Sequence, residues 1–321
     1  MSKQAVHSIM ERGMVISMYI SRKKRKHEMR ISVMRVVAVA LVLYILGSIV
    51  GHKMHQSTVQ VEDTPIDCKI SPNALSGSAT MAGSTAMEKV AGILAESFMQ
   101  QYPGVTVTVE FTGSSAGIRA VLAGSVDIGN SSRSLRAEEK AWGAVENIVA
   151  VDGIVVVTDA DNPVTSLTTE QLSDIYTGKI RNWRDVGGMD EPVVVIGREA
   201  GSGTRCAFEE LLGIEEKCAY ANELDSTGAV MARAATIPGA IGYVSLDVLN
   251  DSVQVIAIDG IKPTPEAIQS GSYLLQRPFV MVTDGELSVQ SEIVQEFFVY
   301  LKSQEGRSLI RSVGLIPVND G

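Results

Sequence analysis

The stretch Arg198-Glu199-Ala200-Gly201-Ser202-Gly203-Thr204-Arg205 joins two segments of different periodicity. The β-branched run Val193-Val194-Val195-Ile196 enters it as a strand, and Phe208, Leu211 and Leu212 leave it at helical spacing. The first N–H groups of a helix lack internal acceptors and lie at the positive end of its dipole, so such a junction suits an anion. Gly201 and Gly203 let the backbone approach closely, and Ser202 and Thr204 offer hydroxyl donors. Arg198 adds a planar guanidinium fork matched to a tetrahedral oxyanion. Alone, the stretch reads equally well as a plain N-cap and turn.

Similar junctions occur upstream. A strand from about Ala74 ends at Gly83-Ser84-Thr85, and Met87, Val90, Ala91, Leu94 and Phe98 follow at helical spacing until Pro103-Gly104. Val105, Val107, Val109 and Phe111 alternate with polar residues as a half-buried strand. That strand runs into Gly113-Ser114-Ser115-Ala116-Gly117 and a helix carrying Ile118, Val121 and Leu122. A third strand, Val126-Asp127-Ile128-Gly129, ends in Asn130-Ser131-Ser132-Arg133. The result is a β-α-β-α-β series with hydroxyls at the C-terminal end of each strand, where open α/β sheets bind ligands. Arg133 either reaches the same strand-end cluster or is a surface arginine, and the surface reading is slightly favoured.

Composition narrows the function. The 321 residues suffice for two domains, and charge is divided unevenly along them. Residues 56–321 hold 18 basic and 35 acidic side chains, a net −17, which argues against nucleic acid or anionic lipid as the partner of this body. Gly113-Ser114-Ser115-Ala116-Gly117 fits the G-x-S-x-G elbow of hydrolases, with Ser115 as nucleophile. The four histidines, however, are His7, His27, His52 and His55, so a Ser-His-acid triad has no histidine within the body. The body also has no His/Cys metal-ligand spacing and no P-loop. The chemistry on offer is hydrogen bonding.

At the N-terminus, the cluster Arg22-Lys23-Lys24-Arg25-Lys26 with Arg30 precedes an uncharged apolar run, Val36–Val50. Basic residues stay on the cytoplasmic side, which puts the body outside the membrane. The chain divides into a basic tail (1–30), a membrane anchor or signal segment (31–51) and a polar linker (52–70) before the body. Retention as an anchor is favoured by the long basic lead-in, and lipid attachment at Cys68 is disfavoured because Asp67 stands where a small residue is needed. Cys206 and Cys218 either pair in an oxidising compartment or remain free thiols.

Taken together, Gly83-Ser84-Thr85, Gly113-Ser114-Ser115-Ala116-Gly117, Asp127-Ile128-Gly129-Asn130-Ser131-Ser132-Arg133 and Arg198…Gly201-Ser202-Gly203-Thr204 resemble the phosphate-binding proteins of bacterial phosphate ABC transporters. The resemblance runs from about Ser71 to Val318. It implies an α/β, two-lobed type II periplasmic-binding-protein fold with phosphate in the interlobe cleft. By position, it implies binding by Ser84, Thr85 and Ala86 in the first helix start, Ser114 in the second, Arg198, and Ser202, Gly203 and Thr204 after it. Many relatives carry aspartate where this chain has Ser132. A serine can accept the proton of hydrogen phosphate but does not repel sulfate as a carboxylate does. The implied partners are inorganic phosphate and ABC permease subunits, with no cofactor and no catalysis. Receipt of sulfate, or tethered sensing of phosphate, are the alternatives.

In the second half, the β-branched run 147–158 is expected to cross between lobes, with Asp152-Gly153 as its pivot. Lobe I is placed at 71–152 and 245–321, and lobe II at 153–244. Thr168 is read as an N-cap, Ser226 as an N-cap in preference to a residue facing the cleft, Trp183 as core, and Val289, Ile293, Phe297 and Leu301 as one helical stripe that packs on lobe I.

Overall fold

The computed structural model describes residues 75–318. The tail, apolar segment and linker expected over 1–70 lie outside them. Eleven strands follow in order: β1 (Gly77–Gly83), β2 (Val105–Phe111), β3 (Ile128–Ser131), β4 (Ala144–Asp159), β5 (Ser166–Leu167), β6 (Val194–Arg198), β7 (Asn222–Leu224), β8 (Ala240–Ser245), β9 (Val253–Ile258), β10 (Gln276–Asp284) and β11 (Ile316–Pro317). The helices are α1 (Glu88–Gln101), α2 (Ser114–Leu122), α3 (Ala137–Ala141), α4 (Thr169–Tyr176), α5 (Gly203–Leu212), α6 (Thr227–Ala234), α7 (Pro265–Gln269), α8 (Glu292–Lys302) and α9 (Gln304–Ser312).

The 16-residue β4 organises the sheet. At about 3.3 Å per residue it is roughly 50 Å long, enough to serve two lobes. Its first part pairs antiparallel with β10, from Ala144 to Gly153, and β10 pairs in turn with β3. Strands β1, β2 and β3 lie parallel, with β1 in the middle, so the first lobe grows outward from β10. The second part of β4 pairs antiparallel with β8 and β9. Beyond β8, strands β6 and β7 add in parallel, so their C-terminal ends and the following helix starts share one edge.

Each lobe has its own apolar interior. In the first, Val90, Leu94 and Phe98 of α1 meet Phe297 and Leu301 of α8. The Phe98 and Phe297 rings pack edge-on, 5.1 Å apart. The stripe expected there is thus partly realised: Ile293, Phe297 and Leu301 are buried, but Val289 is 74% exposed in a 3-10 turn before the helix starts. In the second lobe, Ile154 and Val156 of β4 pack with Tyr176, Trp183, Phe208 and Tyr243. Trp183 is core as expected, its indole N–H donating to the Gly239 carbonyl at 2.8 Å.

The second interior also takes in Ile256, Ile258, Ile268, Tyr273 and Leu275. The chain therefore stays with the second lobe until β10 begins, and the return passage falls at Leu275–Arg277, not directly after 244. The apolar pattern of β9 fits either interior, and only its pairing with β4 at Val156–Asp159 decides between them. Fully burying each such Val or Ile side chain contributes about 1.5–3 kcal/mol. Cys206 and Cys218 are both free thiols.

Candidate anion-binding site

Four helix starts converge between the lobes, and the local sequence explains each. Gly83 closes β1, and Ser84 caps the turn that begins α1, its hydroxyl accepting from the Ala86 N–H at 3.2 Å. Gly113, at φ 88°, bends the exit of β2 into α2 in a conformation that side-chain-bearing residues resist. Ser202 caps α5 by accepting from the Arg205 N–H at 3.3 Å, and Ser226 caps α6 by accepting from the Ala229 N–H at 3.2 Å.

The hydroxyls form a connected cluster. Ser84 Oγ donates to Ser132 Oγ at 2.8 Å, and Ser132 Oγ lies 3.3 Å from Ser114 Oγ, which accepts from the Ser132 N–H at 3.1 Å. Gly203 of the second lobe sits directly on this cluster. A Cβ there would lie 2.3 Å from Ser114 Oγ and 2.8 Å from Ser132 Oγ. The lobes also touch through the Ser115 N–H, which donates to the Gly201 carbonyl at 3.1 Å. Thr204 Oγ1 is buried without a hydrogen-bond partner. All nine residues expected from the sequence are buried, and the contacts bring members of both lobes together.

Arg198 is the electrostatic centre. It is 1% exposed at the end of β6, yet its guanidinium meets only neutral oxygens. Nε donates to the Leu224 carbonyl at 3.1 Å, Nη2 to the Asp225 carbonyl at 2.8 Å, and Nη1 to Thr227 Oγ1 at 3.0 Å. Burial pulls its pKa down to about 10, and the charge of Arg277 acts in the same direction. An interior guanidinium held by carbonyls and a hydroxyl keeps most of its desolvation penalty until an anion approaches. The neighbouring Arg205 differs: Glu209 at 2.8 Å and Glu223 at 3.0 Å neutralise it. Arg133 differs from its sequence reading, for it is buried and held in a bidentate pair with Glu139 at 2.7 and 2.9 Å.

Three features were missed in the sequence. Thr227 belongs to the cleft, lying 3.3 Å from Thr85 Oγ1 through its own Oγ1 while also accepting from Arg198. The signal was present in Ser226-Thr227-Gly228, because a capping Ser226 leaves the next hydroxyl free to face elsewhere. Asn130 is fully buried, with both ends of its amide lacking hydrogen-bond partners. The third is an ion pair beneath the site, Asp152–Arg277, whose Nη1 also donates to the Ser132 carbonyl at 3.3 Å.

Two lobes on crossing strands, with helix starts, hydroxyls and an unneutralised arginine between them, define a solute-binding protein built for a small oxyanion. The family description "PBP superfamily domain" matches residues 71–305. Phosphate-binding protein PstS of Bacillus subtilis (strain 168) is 36% identical over 251 residues, covering 76% of this chain and 82% of its own. A phosphate ABC transporter substrate-binding protein from Clostridium perfringens, solved with bound phosphate, superposes with a TM-score of 0.73 at 38% identity, covering 76% of this chain and all of the other. An ABC-type phosphate transport receptor from Vibrio cholerae gives a TM-score of 0.65 at 34% identity over 75% of this chain and all of its own. The chain belongs to the PBP superfamily and, within it, to the PstS family of phosphate-binding proteins.

Proposed function

We propose that this protein captures inorganic phosphate between its lobes outside the cytoplasmic membrane and delivers it to the permease of an ABC transporter. The observation that carries this reading is Arg198, buried among neutral acceptors where the helix starts meet. Phosphate supplies the counter-charge, and its oxygens accept from the N–H groups and hydroxyls of Ser84, Thr85, Ala86, Ser114, Ser202, Gly203 and Thr204. Ser132 and its neighbouring serines can each donate and accept, so they can accommodate the proton of hydrogen phosphate. Hydrogen bonds to a charged partner contribute roughly 1.5–3 kcal/mol each, and several of them offset the costs of desolvation and ordering.

The protein acts by binding and not by catalysis. The named relatives are binding proteins, and residues 56–321 contain no histidine to activate Ser115. The N-terminal apolar segment tethers the body to the membrane in this reading. Calorimetric titration of the phosphate-free full chain with phosphate and then sulfate, at two pH values spanning the second ionisation of phosphate, is the test. Tight phosphate binding with no sulfate heat supports the reading. Equal binding of both keeps an oxyanion receptor but removes phosphate selectivity, and silence with both overturns it.

A further inference from the structure

Beneath the anion site, where β4 and β10 carry the chain between lobes, lies a buried cluster of charge. Asp152 is fully buried and Arg277 is 3% exposed. Asp152 Oδ2 accepts from Arg277 Nε at 2.9 Å and Nη2 at 2.8 Å. Its Oδ1 accepts from Ser245 Oγ at 2.9 Å and from the Leu246 N–H at 3.1 Å. Both oxygens of Asp152 are thus held by donors. Burial pushes this carboxyl up, while the Arg277 guanidinium and the other donors pull it back.

A second carboxylate stands beside it with no such support. Asp247, in the 3-10 turn Leu246–Val248, is 3% exposed, and neither of its oxygens has a hydrogen-bond partner. The turn is covered by the other lobe: Lys89 of α1 donates through Nζ to the Asp247 backbone carbonyl at 2.9 Å. The charged groups acting on Asp247 are Asp152 on β4, Arg277 on β10 and Lys89 on α1. Burial first, then the charge of Asp152, raises its pKa from 3.8 to about 7, against the opposing charges of Arg277 and Lys89, the Ser245 hydroxyl being committed to Asp152.

We propose that Asp247 sets the affinity of the phosphate site, its carboxyl taking up a proton as the lobes close on the anion. The proposal rests on the phosphate reading above. Opening the cleft withdraws α1 from the turn and readmits water to the carboxylate, which then titrates near its ordinary value. In the closed form the same carboxyl is desolvated beside Asp152, without a donor, and favours its neutral form. Closure therefore takes up a proton in the window between the two values. Over that window the contribution of Asp247 to affinity is largest at the acid end and declines as pH rises toward about 7. Above it, closure buries an ionised Asp247, and affinity loses the contribution in full.

The test is proton-linked calorimetry on the phosphate-free full chain, titrated with inorganic phosphate at about pH 6 in two buffers of different ionisation enthalpy. Protons taken up or released by phosphate itself are common to the wild type and Asp247→Asn, so their difference isolates the side chain. The wild type is expected to take up more protons than Asp247→Asn at about pH 6, by a substantial fraction of one. At about pH 8 the variant is expected to bind phosphate at least about tenfold more tightly, because closure no longer buries a charge. Equal proton counts at the lower pH overturn the proposal while leaving phosphate binding intact. Absence of phosphate binding in the wild type removes the functional reading and this proposal with it. If Asp247→Asn fails to fold, infrared difference spectra of the wild type decide the matter. Phosphate at about pH 6 should produce a protonated-carboxyl band, and its absence overturns the proposal.

Discussion

Two buried arginines, Arg198 in the cleft and Arg277 at the lobe crossing, are equally hidden from water and treated in opposite ways. Arg277 is matched by the carboxylate of Asp152 in a two-point contact. Arg198 is surrounded by two carbonyls and the Thr227 hydroxyl, and among the described residues no carboxylate lies within ion-pair distance. The difference separates two uses of one side chain. A compensated arginine holds strands together, because removing either partner strands a charge in the interior. An uncompensated one detracts from the stability of the empty protein and keeps its electrostatic strength for a ligand. The arrangement is a trade between folding and binding, and it can be tested by removing each charge in turn.

The largest effect is expected at the crossing. Arg277→Met leaves Asp152 buried without its counter-charge, which should cost about 3–5 kcal/mol of stability, read as a lowered denaturation midpoint in urea. Arg198→Met should do the reverse. Phosphate affinity should fall by about two to three orders of magnitude, the worth of one or two charge-assisted hydrogen bonds, while stability stays level or rises. If Arg198→Met unfolds the protein as readily as Arg277→Met, the two arginines are both structural and the contrast collapses.

The two regions were not equally legible in the sequence. Arg198 stands beside its own signal: a strand, a glycine–hydroxyl turn and a helix lie within the twenty residues from Val193 to Leu212, and each is a local pattern. The helix starts at Ser84 and Ser114 could be read in the same way. Asp152 and Arg277 are 125 positions apart, and no local pattern connects them. Their pairing follows from the antiparallel register of β4 and β10, in which Arg277 faces Asp152 directly. Asp247 was illegible for the same reason. The groups around it, Asp152, Arg277 and Lys89, come from three distant parts of the chain. Arg133 was misjudged because its partner Glu139 looks, in sequence, like one charge among many in a short polar segment.

A third substitution probes the contact between the lobes. Gly203→Ala places a methyl group within van der Waals overlap of Ser114 and Ser132 across the cleft. Overpacking of this kind costs about 1–3 kcal/mol, and here the strain exists only when the lobes meet. Phosphate affinity should therefore fall roughly tenfold to a hundredfold with little change in the stability of the phosphate-free protein. An equal loss in both measurements would place the strain within one lobe and weaken the picture of the cleft as a meeting surface.

The smallest effect is expected at Thr227, where the contrast between the arginines is finest. Among the described residues its hydroxyl is the one side-chain oxygen to which the Arg198 guanidinium donates, and it also lies against Thr85 from the other lobe. Thr227→Val keeps the shape and removes the oxygen. If the hydroxyl serves mainly to aim the guanidinium, the variant loses one neutral-to-charged hydrogen bond, and phosphate affinity drops by about tenfold. Arg198 would then be still less compensated, so the phosphate-free protein should also lose about 1 kcal/mol of stability. A pure ligand contact would lower affinity alone, and a pure structural contact would lower stability alone. A loss in both, at similar size, is the result that fits an arginine whose neutral partners hold it in place for an anion without neutralising it.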